Sequence, residues 1–254
     1  MKAISLFFSI LIINSANSQF DYSQLDKIVG QYVQGNNVNY SKLLADKGKL
    51  ISFTNSLATT SPNSHPEKFK TRNEQLAYWI NAYNAYILKI IVENYPVDSI
   101  KDIKFIGFTV WLHKNTLGGE EISFKALEDD IIRDMYKDPR IHFAINCASI
   151  SCPPLRDQAY LPEILDKQMD ESTSLFINDK NNVRIAEEEG KIYLNSIFDW
   201  YDDDFIDWLR EIKEIEEPHI LDYIKLYYNG QVDEEWYDYD IEFLEYDWAL
   251  NDIS

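Results

Sequence analysis

Cations are scarce in this chain: 24 Lys plus Arg stand against 43 Asp plus Glu, a formal net charge of -19 over 254 residues. With no basic stripe to displace counterions from phosphates, nucleic acid is excluded as an expected partner. Histidine and cysteine are scarcer still, at four and two. One histidine and both cysteines form H-x4-C-x4-C at His142, Cys147 and Cys152, which lacks the fourth ligand and the C-x2-C knuckle of a structural zinc site, so neither metal nor cofactor is expected. The acidic runs 187–189, 202–204 and 233–240 lack the glycine and the regular oxygen alternation of a calcium loop; they read as solvated surface, the last with its Trp and Tyr turned inward. No later run of about 18 uncharged apolar residues suggests a membrane span, and no repeat or low-complexity linker divides the chain.

What is present begins with a leader. Lys2 precedes the largely apolar run 4–13, and Ala16-Asn17-Ser18 is a small-x-small pattern suited to cleavage before Gln19; the run is too short to span a bilayer. Residues 1–18 are therefore expected to be a signal peptide. No cysteine sits at the cleavage point to carry a lipid, and the expected location is the periplasm or the exterior. In that oxidising setting a cysteine pair is more often a disulfide than two thiols.

Residues 19–254 suffice for one core. Helical periodicity marks 21–34 and 38–58, with a polar loop at 59–67. Residues 72–95 are apolar almost all round and predict a central buried helix, which Pro96 helps stop. Segments 108–113 and 120–122 around Leu117-Gly118-Gly119 read as a hairpin, and 124–135 as a helix with Ser123 as N-cap. Residues 141–146 read as a strand, 162–178 as an amphipathic helix, and 183–185 with 191–194 as a hairpin turning at Glu189-Gly190. Helices near 203–213 and 218–228 and a closing strand within 239–246 complete a single α+β domain with a helical N-terminal part, a central buried helix and a small mixed or antiparallel sheet.

Three separated motifs carry a resemblance: Trp79-Ile80-Asn81-Ala82-Tyr83-Asn84-Ala85; residues 141–149 with Ser151-Cys152-Pro153-Pro154-Leu155; and Tyr246-Asp247-Trp248-Ala249-Leu250-Asn251. Together, and in this order, they resemble the domain of unknown function 547 family over most of residues 19–254, as in an exported bacterial member. That name asserts no activity. The resemblance implies recurrent polar positions at Asn81, Asn84, Glu128, Arg133, His142 and Cys147. It also implies that relatives often carry histidine where this chain has Asp129, and that they vary at Cys152, which favours a role for Cys147 of its own.

A thiol becomes a good nucleophile when a nearby imidazolium or helix N-terminus lowers its pKa from about 8.5. Cys147, at the end of the expected strand and followed by small residues, suits that role, with backbone N–H groups of the 148–151 turn to receive an oxyanion. His142 is the expected base or orienter, although five extended residues would place the two Cα atoms roughly 16 Å apart on opposite faces; His113 is a rival, and a buried His142 bonded to a carboxylate such as Glu128 is the bland alternative. Glu128 and Arg133, five apart, do not share one face of an α-helix cleanly. Asn81 and Asn84, on an apolar helix, must find partners, either substrate or the Cys147 loop. Two functions stay open. One is a thiol-dependent hydrolase or acyl/peptide transferase using Cys147, His142 and Glu128, with Asn81, Asn84, Arg133, Trp79 and Tyr83 binding substrate. The other is an exported binding module stapled by a Cys147–Cys152 disulfide, its pocket lined by Trp79, Tyr83 and Trp111. The partner in either case is an unknown small molecule or peptide.

Overall fold

A computed structural model describes residues 19–105 and 107–253; the expected leader lies outside them. The N-terminal part is helical. Helix α1 (Ser23–Tyr32) buries Leu25, Ile28, Val29 and Tyr32, and a short β1 (Val33–Gln34) and β2 (Asn37–Val38) hairpin turns the chain back. The single helix expected over 38–58 is two: α2 (Tyr40–Ala45), capped by the Asn39 side chain, and α3 (Gly48–Thr59).

The central helix α4 (Arg72–Asn94) is buried along most of its length. Thr71 starts it with a capping box: its hydroxyl accepts from the Glu74 N–H at 3.2 Å, and the Glu74 carboxylate accepts from the Thr71 N–H at 2.7 Å, satisfying two orphan donors. Next come the ribbon β3 (Lys104–Phe105) with β4 (Phe108–Thr109) and the hairpin β5 (Lys114–Leu117) with β6 (Glu120–Ser123). The hairpin expected from 108–113 is thus displaced, because Val110–Leu112 forms a 3-10 turn and the partner of β6 begins at Lys114. Gly118 has φ +59°, and a Cβ there would fall inside the Ser61 side chain, so only glycine lets this turn dock on α3.

Ser123 caps the following helix as expected, accepting from the Ala126 N–H at 3.1 Å. The helix is not uniform: α5 (Phe124–Ala126) runs into a π-helix (Leu127–Arg133) and then α6 (Asp134–Tyr136). Residues 141–146 are not a strand. Pro139–Phe143 is a 3-10 turn with proline at its start and the Asp138 side chain accepting from the Arg140 N–H at 3.2 Å. Arg140 fixes the turn further by pairing with Asp138, Asp166 and Asp170.

Helix α7 (Leu165–Ile177) leads into β7 (Val183–Ala186) and β8 (Lys191–Asn195), paired antiparallel. Helices α8 (Ile197–Trp200), α9 (Asp202–Ile212) and α10 (Ile220–Lys225) follow, and β9 (Asp240–Leu244) joins β8 in parallel, Ile192 opposite Ile241. The protein is an α+β domain with small sheets. There are two apolar clusters: α1 to α4 with Ile141, Ala144, Ile145 and the start of α7 in one, and Phe143, the end of α7, α8 to α10 and the three-stranded sheet in the other. The 3-10 turn before Cys147 therefore feeds both cores. None of the described helices is long and apolar enough to cross a membrane.

Candidate functional site at Cys147

The polypeptide around Cys147 is held by buried amides. Asn84, on α4, donates to the Ala144 carbonyl and accepts from the Asn146 N–H, both at 2.9 Å. Asn146 donates to the Pro153 carbonyl at 2.7 Å and accepts from the Ala148 N–H at 2.8 Å. One turn earlier on α4, Asn81 clamps Tyr160 by both its N–H (3.0 Å) and its carbonyl (2.7 Å). The two helix amides thus hold loops in place, the structural choice between the roles expected for them. Ala148 is fully buried with φ +60°, a conformation L-residues rarely adopt and one that concentrates at functional sites.

The closing segment is laced to the same turn. Ile150 N–H donates to the Ala249 carbonyl at 2.9 Å, Ser151 N–H to Asp247 at 3.2 Å and Asn251 N–H to Ala148 at 3.3 Å. The three motifs of the resemblance therefore meet around one cysteine. Of the expected oxyanion donors, the Ala148, Ile150 and Ser151 amides already donate to protein acceptors, as does the Cys152 amide beyond them, to Ser149 at 3.1 Å.

The Cys147 sulfur is instead surrounded by side chains. Ser149 Oγ lies 3.0 Å away, the Tyr246 hydroxyl 3.2 Å, and these two are 3.1 Å from each other. Cys152 Sγ accepts from the Cys147 N–H at 2.8 Å, and both cysteines are free. Burial pushes the Cys147 thiol up, but hydrogen bonds from Cys152, Ser149 and Tyr246 outweigh it and hold the thiol below its ordinary range. Burial and the neighbouring Cys147 sulfur push Cys152 well above its own. Burial and both sulfurs raise Tyr246, so it remains a protonated donor. Hydroxyl donors beside the sulfur favour its charged form.

His142 does not contact Cys147 by any hydrogen bond among the described residues. Its Nε2–H donates to Asp204 at 2.7 Å, and its ring stacks on Tyr201 with centroids 3.9 Å apart. Burial lowers its pKa, against the Asp204 hydrogen bond and charge, so the ring is neutral at pH 7. Burial would raise Asp204, but His142 and Arg133 hold it well below the usual carboxylate range; with His142 neutral, the standing countercharge is Arg133, bound through Nε at 2.8 Å and Nη2 at 3.1 Å. Arg133 also reaches Asp129 at 2.9 Å and lies over the Tyr201 ring. The alternative of a buried His142 bonded to a carboxylate such as Glu128 finds its carboxylate in Asp204, from within a run expected to be solvated. Glu128 instead accepts from the Tyr83 hydroxyl at 2.9 Å and the Tyr201 hydroxyl at 2.6 Å. The wider π-helical turn brings residues five apart closer to one side than an α-helix would; π-turns are frequent at functional sites.

These groups open onto one cavity of about 350 Å³. Cys147, Glu128, Tyr83 and His142 line it, with Tyr201, Tyr246, Trp111, Trp200 and Trp248 as aromatic walls. Trp200 stacks on Trp248 at 5.8 Å, and Tyr246 lies 4.6 Å from Trp248. Of the other expected residues, Trp79 is buried against Tyr78 in the core, Arg133 lines the adjacent groove, and His113 packs near Phe124; none of the three lines this cavity. Tyr246, Ser149, Tyr201, Asp204 and Trp200 were not singled out as site residues. Tyr246 had a signal, since it opens the third motif; Asp204 and Tyr201 reach the site only through tertiary packing.

The fold and site define an α+β protein built around a buried cysteine-lined pocket. Residues 66–177 match the family described as "Protein of unknown function, DUF547", which the chain resembles over that segment. That stretch contains Asn81, Glu128, His142 and Cys147 and excludes Tyr201, Asp204 and Tyr246. No curated protein and no solved structure gives a significant match.

Proposed function

We propose that this protein is a thiol-dependent hydrolase or acyl transferase with Cys147 as nucleophile. The observation that carries the reading is a cysteine sulfur facing a cavity while hydroxyl donors hold it below the ordinary thiol range. The thiolate attacks a substrate carbonyl carbon, and its electron pair becomes the new C–S bond. As negative charge moves from sulfur to the carbonyl oxygen, the Tyr246 and Ser149 hydroxyls, no longer held by sulfur, follow it. Collapse of the intermediate breaks the bond to the leaving amine or alcohol, which takes a proton from water. Water or another acceptor then resolves the thioester, giving acid or transferred acyl group and returning the thiolate. His142 acts here as a positioning residue: through Tyr201 it fixes Glu128, and it holds no proton at the sulfur.

The test is trapping. Incubated with an activated acyl ester, the protein is expected to acquire an acyl mass on the Cys147 peptide that hydroxylamine removes and Cys147→Ala abolishes. An adduct that persists in that variant, or none at all, sinks the reading. A second reading, the binding module closed by a Cys147–Cys152 disulfide, draws support from the 2.8 Å approach of Cys152 Sγ to the Cys147 N–H. Export on a leader ending at Ser18 is part of either proposal, and N-terminal sequencing of the mature protein tests it by starting, or not, at Gln19.

A further inference from the structure

Glu128 is the charged group of the cavity that the chemistry above leaves unused. Among the described residues it forms no ion pair: its partners are two neutral tyrosine hydroxyls. The other lining charges, Lys125 and Asp129, pair with each other, and Asp129 also holds Arg133 from outside the cavity. His142 is neutral, so the cavity carries one uncompensated carboxylate. The same cavity is lined by Trp111, Trp200, Tyr246 and Trp248, whose ring faces attract cations. One of these rings already does so on the protein's own behalf, since Lys101 Nζ lies 4.6 Å from the Trp248 centroid. A partly buried carboxylate beside aromatic walls and a nucleophilic sulfur suits a ligand of definite chemistry.

Resting on the thiol reading, we infer that the substrate presents an alkylammonium group that seats against Glu128 between these aromatic rings, with its reactive carbonyl at Cys147. An acidic or uncharged substrate leaves the Glu128 charge unmatched and is selected against.

Three methanethiosulfonate reagents of similar size test this on the intact protein: one carrying a trimethylammonium, one a sulfonate and one neutral. Each transfers its thio group to a thiolate and releases methanesulfinate, so labelling rates at Cys147 compare charge alone. Because the whole surface is acidic, the reference is Leu175→Cys in a Cys147→Ala background, Leu175 being 62% exposed on α7. The cation-to-anion rate ratio at Cys147 is expected to exceed that at the reference by about tenfold or more, a margin that persists in 0.5 M salt because the carboxylate is sheltered, and Glu128→Gln is expected to remove the excess. Equal ratios at the two sites overturn the inference, and they do so in the unsubstituted protein whether or not the Glu128 variant folds. The neutral reagent judges the underlying reading separately: labelling no faster than an ordinary thiol contradicts the nucleophile, while the charge ratio still decides the alkylammonium site.

Discussion

Replacing Tyr246 by phenylalanine removes one atom from the site and leaves its ring contacts, 4.7 Å to Trp200 and 4.6 Å to Trp248, in place. The lost hydroxyl lies 3.2 Å from the Cys147 sulfur. A hydrogen bond to a charged acceptor contributes about 1.5–3 kcal/mol, and about 1.4 kcal/mol corresponds to one pH unit of thiol ionisation, so the Cys147 pKa is expected to rise by about one to two. Ser149, whose hydroxyl sits 3.0 Å from the sulfur and 3.1 Å from the Tyr246 hydroxyl, loses that second partner in the variant and gives its proton wholly to the sulfur. That compensation puts the single variant near the lower figure, about one unit, and Tyr246→Phe with Ser149→Ala above it. The assay is the pH dependence of iodoacetamide labelling at Cys147, followed by mass spectrometry. An unchanged profile in the double variant would refute the reasoning, since it would mean the hydroxyls do not hold the thiolate.

Asn84→Ala removes both tethers of the Cys147 loop and leaves the buried Ala144 carbonyl and Asn146 N–H unpaired; urea unfolding is expected to show a loss of about 2–4 kcal/mol. Ala148→Val places a β-branched residue at φ +60° and is expected to cost more than about 2 kcal/mol by the same measurement, a near-neutral result denying the left-handed geometry. The His142–Asp204 pair makes stability acid-sensitive. His142 is lowered in the fold, so the unfolded chain takes up its proton first and stability falls as pH drops below about 6.5; Asp204 is also lowered, and its contribution is lost further down, below the unfolded carboxylate value of about 4. Calorimetry on His142→Gln should flatten the upper part of that decline and leave the lower, whereas an unaltered decline above pH 5 would contradict the neutral buried histidine.

The central helix was legible because sixteen of its residues are buried and all of these but Asn81 and Asn84 are apolar or aromatic, and the turn at Gly190 because its φ of +62° favours glycine. Residues 141–146 misled for a related reason. Ile141, Phe143 and Ile145 alternate as a strand would, yet Pro139 and the Asp138 cap start a 3-10 turn whose apolar residues divide between two cores. The π-helix had no local signature, since its extra residue per turn is fixed by what Glu128 and Arg133 reach in the fold. Cys147 and Tyr83 stood out from the motifs and Glu128 from the positions the resemblance implies, and all three line the cavity. Asp204 was hidden among acidic neighbours, and only its pairing with Arg133 and His142 distinguishes it from Asp202 and Asp203.

The most direct test of the account is iodoacetamide labelling of the mature protein between pH 5 and 9, without reductant and then with it, mapped by peptide mass. The account predicts that Cys147 labels without reductant and with an apparent pKa clearly below the ordinary thiol value of about 8.5. Labelling only after reduction, together with a peptide joining Cys147 to Cys152, would contradict it and leave the stapled binding module as the reading to pursue.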